Sequence, residues 1–172
     1  MTKKRGLTLA GLAVCLAVLG LIWFTVSRSA GGQKETLTDL TADRIRAMEL
    51  PLSDGTRARL ERTDGVWTFD GTPAPDQLKI SKIAAALTGV AVTRELTGDA
   101  DPAEYGITAE SPRISITDTE GETSEITVGS QNGTTLDVYC ALDSRPGVIF
   151  AVSPGILDAV GLTRPELADE ED

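Results

Sequence analysis

The chain begins with a basic cluster followed by a long apolar stretch, and this stretch constrains the fold more than any other feature. Lys3, Lys4 and Arg5 precede an uncharged, mostly apolar run that begins at Leu7 and ends at Val26 (residues 7–26). At about 1.5 Å per residue, a helix over this run matches the roughly 30 Å hydrocarbon core of a bilayer. Because cytoplasmic segments carry the excess of Lys and Arg, we expect a single transmembrane anchor in the cell membrane. Residues 1–6 are then cytoplasmic and the rest of the chain extracytoplasmic.

Two other interpretations of the N-terminus stay open. A cleaved secretory signal has an apolar region of about 7 to 15 residues and a small-x-small cleavage site. Here the apolar run is longer, and Ser27-Arg28-Ser29-Ala30 makes a poor cleavage site. A lipoprotein is the second alternative, because the residues before Cys15 partly resemble a lipobox, although Val14 is bulky. The sequence favours a retained anchor and leaves retention or cleavage to experiment.

The exported part of the chain is strongly acidic. All 26 acidic residues lie beyond residue 34, against 13 basic residues in residues 27–172, which gives a formal charge of −13. Such a surface repels nucleic acid, so we expect no nucleic-acid partner. We predict a flexible tether over residues 27–36, one domain over residues 37–162 and an acidic tail over residues 163–172, disordered from Ala168 onward.

Alternating apolar residues predict the first β-hairpin around Ser53-Asp54-Gly55. Folding the segment about Asp54 satisfies both strand faces in one register, which pairs Met48 with Leu60, Leu50 with Ala58, and Glu49 with Arg59. A third strand is predicted over residues 66–69, with Trp67 and Phe69 on the same side.

A helix follows, opened by Pro75 and Asp76 and running to about Thr88. Gly89 is placed to end this helix. Its apolar positions recur at helical spacing and are Ile80, Ile83, Leu87 and then Val90. We expect Gln77, Lys79 and Lys82 to face water. A strand over residues 91–96 and a single helical turn opened by Asp101 and Pro102 complete this part.

Two more hairpins and a short helix are predicted in the second half. The second hairpin joins residues 113–118 to residues 124–129 about Gly121, with the pairs Ile116–Ile126 and Ile114–Val128. The third joins residues 135–142 to residues 148–152, with the pairs Cys140–Phe150 and Val138–Val152. Ser153 and Pro154 are expected to cap a short helix through Val160. The predicted class is α+β: a single transmembrane helix, then one extracytoplasmic domain of mainly antiparallel hairpins with two or three short helices.

The residue types available limit the chemistry. The chain has no histidine, which removes Ser-His-Asp and Cys-His pairs and histidine-ligated zinc. Phosphate-binding and nucleophile motifs are also missing from the sequence. Cys140 shares its predicted strand face with Leu136, Val138 and Leu142, which favours a buried structural thiol over a nucleophile. We therefore expect a protein that is not an enzyme and that has no catalytic residues, cofactor or metal.

A few residues remain as candidates for binding. Asp99, Asp101 and Glu104 offer oxygen ligands for Ca²⁺, but Asp101 and Glu104 also fit a helix cap. Asn132-Gly133-Thr134 fits a glycosylation acceptor and, more simply, a tight turn. The basic residues of the first hairpin are either an anion-binding or partner surface, or cross-strand partners of Glu49 and Glu61. The candidate partner or ligand surface comprises Arg44, Arg46, Arg57, Arg59, Trp67 and Tyr105, with Arg62 next to it.

The order of short motifs resembles a known family. These motifs are residues 44–50, Gly65-Val66-Trp67, the helix at residues 83–87, Glu104-Tyr105-Gly106-Ile107, Pro112-Arg113-Ile114 and Ile126-Thr127-Val128-Gly129. Together they resemble the family catalogued as domain of unknown function 4340 over residues 37–160. Thr108-Ala109-Glu110 departs from the family pattern, where a second glycine or an apolar residue is usual.

The resemblance implies a bacterial envelope protein, similar in some members to auxiliary parts of gliding-motility-type ABC transport systems. It carries over no catalytic residue. The leading hypothesis is a non-catalytic interaction module that docks on a multi-spanning membrane protein such as an ABC permease. The alternative is an extracytoplasmic ligand-binding module for an envelope glycan or a cation, and a more remote one is a carboxylate-dependent hydrolase.

Overall fold

The computed structural model describes three stretches of the chain, residues 35–69, 75–98 and 100–168. The predicted anchor, residues 27–34 of the predicted tether and residues 169–172 of the predicted tail lie outside them. Within the described stretches, no helix combines the length and apolar character needed to span a bilayer. From Thr36 onward, the described residues belong to one compact unit.

An eight-stranded sheet accounts for most of the regular structure in the described stretches. Its strands are β1 (Ile45–Pro51), β2 (Arg57–Thr63), β3 (Val66–Phe69), β4 (Val92–Leu96), β5 (Arg113–Asp118), β6 (Thr123–Gln131), β7 (Val138–Leu142) and β8 (Ile149–Val152). They lie in the order β3-β2-β1-β5-β6-β7-β8-β4, with antiparallel pairing between neighbours. The α-helix α1 (Gln77–Thr88) connects the two edge strands, and the 3-10 helices are Ala42–Arg44, Pro102–Tyr105, Pro154–Ala159 and Pro165–Leu167. The expected α+β class is confirmed at this level.

The registers of the first and third hairpins are confirmed. In the first, Met48 lies opposite Leu60, Leu50 opposite Ala58 and Glu49 opposite Arg59. In the third, Cys140 lies opposite Phe150 and Val138 opposite Val152. The two predictions succeeded because packing on one face and turn geometry select the same register.

The predicted register of the second hairpin is wrong by two residues. Ile114 lies opposite Ile126, and Ile116 lies opposite Ser124, not Ile126. The Asp118 carboxylate sets the turn, because its Oδ1 accepts hydrogen bonds from the backbone N–H groups of Glu120 (2.8 Å) and Glu122 (3.0 Å). This network centres the turn one residue earlier than Gly121. A shift of two residues keeps every side chain on its face, so the apolar pattern could not distinguish the registers.

The core lies on one face of the sheet, beneath α1. Alternate residues of the central strands are buried, for example Met48 and Leu50 on β1 and Ile114 and Ile116 on β5. The helix contributes Ile80, Ile83, Ala84 and Leu87. Its N-terminus is capped by Asp76, whose carboxylate accepts from the N–H groups of Leu78 and Lys79, so Pro75 precedes the cap and is not in the first turn.

Gln77 is exposed, as expected, and its side chain also makes contacts that the sequence did not indicate. Its Oε1 accepts a 2.8 Å hydrogen bond from the Trp67 backbone N–H, and its Nε2 donates a 2.8 Å hydrogen bond to the Trp67 carbonyl. Trp67 lies on the edge strand β3, paired with β2 on the other side. The amide of Gln77 therefore pairs with the strand edge as a neighbouring strand would, and covers part of an edge that could otherwise bind another chain.

Three local predictions in the second half are wrong. Leu136 is not on the strand face of Cys140: it lies before β7, has a left-handed φ of 62° and is 56% exposed. Ser153 does not cap the following helix with its side chain, because its hydroxyl accepts from the N–H of Ala91. Ala168 is not part of a disordered tail: it is buried and forms a β-bridge with Pro75, next to the fully buried Leu167.

Candidate functional site

The arginines of the first hairpin separate into two groups. Arg57 and Arg59 point to the open face of the sheet, where Arg57 lies 3.5 Å from Glu49 and Arg59 lies 2.7 Å from Glu61. The Arg57–Glu49 pair is the cross-strand pairing that the alternative interpretation predicted, whereas Arg59 and Glu61 lie on the same strand, β2. Both arginines are half exposed, so the ion pairs contribute little to stability. Their charges are already balanced by neighbours on the same sheet.

Arg44 also has partners, at the start of β1. One of its Nη atoms lies 2.9 Å from Glu120 and 3.4 Å from Asp118. Both carboxylates belong to the β5–β6 turn, and Asp118 is buried. Arg44 therefore joins the beginning of β1 to this turn and balances the buried carboxylate.

The two aromatic candidates lie in different places. Trp67 is 2% exposed and belongs to the core, with the Arg62 guanidinium 5.7 Å from its ring centroid. Tyr105 is half-buried and packs edge-to-face on Tyr139, with ring centroids 4.8 Å apart. The structure therefore does not bring Tyr105 to the hairpin, and it leaves Trp67 beneath Arg62.

A surface cavity of about 530 Å³ lies where β1 begins and β2 ends. Its charged lining consists of two arginines and two aspartates: Arg46, Arg62, Asp43 and Asp64. The rest of its lining comes from Ile45, Thr63, Gly65 and Thr119. The cavity thus joins three parts of the chain that are distant in sequence: the start of β1, the β2–β3 turn and the β5–β6 turn.

A β-bulge places Arg46 at this cavity. On β1, Ile45 pairs with Asp118 and Ala47 pairs with Thr117, so Arg46 is an extra residue relative to β5. A bulge bends its strand and changes the direction of the side chain at that position. Arg46 is exposed there.

The four charged side chains that line the cavity form no ion pair within the described stretches, whereas Arg44, Arg57 and Arg59 are all paired. Arg62 donates from Nη1 to the carbonyl of Ala42 at 3.1 Å, and its Nε is buried without a hydrogen-bond partner among the described residues. A hydrogen bond from the Thr41 side chain, followed by a backbone hydrogen bond and the nearby Arg62, lowers the pKa of Asp43 below its ordinary value. The cavity therefore presents both signs of charge at neutral pH.

The remaining candidates have structural roles where the structure describes them. Asp101 caps a helical turn by accepting from the N–H of Ala103, and no group of three metal-ligating side chains occurs in the described stretches, which exclude Asp99. Asn132 forms the expected turn, its Oδ1 accepting from the N–H groups of Thr134 and Thr135. Burial raises the pKa of the Cys140 thiol to about 12, as expected for a structural cysteine.

Part of this site was predictable from the sequence. Arg46 was among the candidate residues, and Arg62 lay beside them. Asp43, Asp64 and Thr119 were not, because no local pattern indicates that the β5–β6 turn meets the start of β1. Asp64 and Gly65 at the β2–β3 turn were visible only as a pair typical of turns.

Comparison with known proteins adds no relative, since no family model, curated protein or solved structure matches the chain.

Proposed function

We propose that this protein is a membrane-anchored, extracytoplasmic interaction module that acts by binding and not by catalysis. The observation that carries this proposal is the cavity at the start of β1, where Arg46, Arg62, Asp43 and Asp64 form no ion pair with described residues. On the same sheet, Arg57, Arg59 and Arg113 are paired with neighbouring carboxylates. Charged groups gathered without pairing in a cavity are available to a charged partner.

The proposed anchor is the apolar run of residues 7–26, with the basic residues 3–5 on the cytoplasmic side. A tagged full-length protein should stay in the membrane pellet after alkaline extraction. In a separate assay on spheroplasts, external protease should digest the C-terminal domain and leave a cytoplasmic control protein intact. Release by alkali, or protection of the domain from external protease, would contradict the proposed topology.

The proposed partner is a multi-spanning membrane protein such as an ABC permease. The family resemblance and the anchor support this choice. The test is crosslinking in intact cells, purification of the full-length protein and mass spectrometry. We expect a stoichiometric membrane partner whose yield falls for Arg46→Gln. Arg94→Gln is the matched control, because Arg94 is an exposed arginine on β4, at the opposite edge of the sheet from β2. Equal yields from wild type and both variants would remove the cavity from the proposal, and the absence of any stoichiometric partner would refute the proposal itself.

A ligand-binding module is the second candidate, and the size of the cavity favours it. Its volume of about 530 Å³ lies within the range of small-molecule sites. The two candidates differ in what purification recovers. A ligand-binding module is recovered alone and is stabilised by its ligand, whereas an accessory module is recovered with its membrane partner.

A further inference from the structure

The charged cavity at the start of β1 carries equal numbers of positive and negative groups. Arg46 and Arg62 supply the cations, and Asp43 and Asp64 supply the anions. An anion alone would meet two carboxylates there, and a cation alone would meet two guanidinium groups. A ligand that carries one group of each sign can satisfy both pairs.

These four groups form no ion pair with one another, although the nearby Arg62 contributes to the lowered pKa of Asp43. Arg46 is the extra residue of the β1 bulge. The guanidinium of Arg62 bonds to the Ala42 carbonyl and lies over the ring of Trp67. Asp64 occupies the tight turn between β2 and β3 with a left-handed φ of 50°. The bulge at Arg46, the contacts of Arg62 and the turn at Asp64 therefore place three of the charges before a ligand enters, which reduces the ordering cost of binding.

Arg62 supplies a second, independent observation. Its Nε is buried and has no hydrogen-bond partner among the described residues. A buried donor without a partner costs free energy that a well-placed acceptor recovers. Small rearrangements of this guanidinium toward a carboxylate would satisfy the donor and keep the planar fork suited to carboxylate oxygens.

We propose that the cavity binds a small zwitterion, with its carboxylate toward Arg46 and Arg62 and its ammonium group toward Asp43 and Asp64. A free amino acid or a short peptide has this chemistry, and the cavity volume of about 530 Å³ accommodates such a molecule. The inference rests on the proposed function in taking this cavity as the recognition site. It is independent of which membrane protein the module contacts.

The test uses full-length protein in detergent, titrated calorimetrically with alanyl-alanine, its N-acetyl derivative and its C-terminal amide. We expect saturable binding of the free dipeptide and an affinity about tenfold weaker for each blocked form, since each lacks one charge-assisted contact. Arg46→Gln and Asp64→Asn should weaken binding of the free dipeptide by a similar factor. Asparagine tolerates the left-handed turn position, and Arg94→Gln again serves as the control.

Two results would overturn the inference: equal binding of the blocked and free dipeptides, or no saturable binding of any of them. The proposed function is judged separately. If the dipeptide fails to bind while Arg46→Gln still reduces recovery of the membrane partner, the zwitterion site is wrong and the interaction module stands. If Arg46→Gln changes neither measurement, the cavity is not a recognition site and the zwitterion inference falls. The interaction module is then judged by whether a stoichiometric membrane partner is recovered at all.

Discussion

Replacing Gln77 by alanine tests how the edge of the sheet is stabilised. The Gln77 amide makes two hydrogen bonds of 2.8 Å with the backbone of Trp67 on β3. Alanine removes both and leaves the N–H and carbonyl of Trp67 to water. The helix itself should persist, since Asp76 still caps it and alanine is a good helix former.

The expected loss follows from the contacts. A net hydrogen bond contributes about 1 kcal/mol, so the pair contributes about 2 kcal/mol. The higher helix propensity of alanine returns a few tenths of a kcal/mol. We therefore expect Gln77→Ala to lower the free energy of unfolding by about 1.5 kcal/mol, which corresponds to a melting temperature about 5 °C lower for a domain of this size.

Urea unfolding followed by tryptophan fluorescence measures this change. The chain has two tryptophans, so a Trp23→Phe background leaves Trp67 as the single probe, directly at the contact. Lys82→Ala is the matched control, because Lys82 is exposed on the same helix. If the two alanine variants unfold with the same free energy to within about 0.3 kcal/mol, less than the smallest net contribution expected of one hydrogen bond, the amide does not stabilise the edge.

Three further predictions concern single residues. Leu136→Gly should raise the free energy of unfolding by about 1 kcal/mol, because leucine is strained at a φ of 62° and its side chain is 56% exposed; a less stable variant would refute this. Gly129→Ala should lower it by about 3 kcal/mol or more, measured in urea, since a Cβ there meets the backbone oxygen of Tyr105; wild-type stability would contradict the close approach. Cys140 titrates near 12 when folded, above its unfolded pKa, so its contribution to stability is complete below about pH 8.5 and is lost as the pH rises toward 12. In a Cys15→Ala background, Cys140→Ala should remove that component of the pH dependence, and an unchanged dependence would show that the thiol is not its source.

The pairing of the first and third hairpins was predictable from the sequence and that of the second was not, for a physical reason. In the first hairpin, apolar pairs on one face and the Glu49–Arg59 pair on the other select the same register. In the second, both strands alternate β-branched apolar residues with polar ones, so registers two residues apart bury similar surfaces. The choice was made by Asp118, whose side chain forms the turn. A pattern of period two cannot supply that information.

The left-handed backbone of Leu136 could not be predicted from the sequence pattern either. The sequence continued the alternation of β7 backward to this leucine, but a hydrogen bond from its N–H to the Asn132 carbonyl ends the strand at Val138. The amide of Asn132 organises the same turn. Local polar contacts therefore end the strand at Val138, although the apolar alternation continues to Leu136.

Local chemistry in the sequence was enough to determine the elements that depend on near neighbours: the capped helix α1, the third strand, and the pairing within two of the hairpins. Tertiary structure decided which hairpins became neighbours, since β1 pairs with β5 and β4 with β8 across long stretches of chain. That arrangement brings Thr119 to Asp43 and Asp64 and bends β1 at Arg46. Contacts between distant segments depend on the packing of the whole sheet, which no local pattern encodes, and the candidate site is built from such contacts.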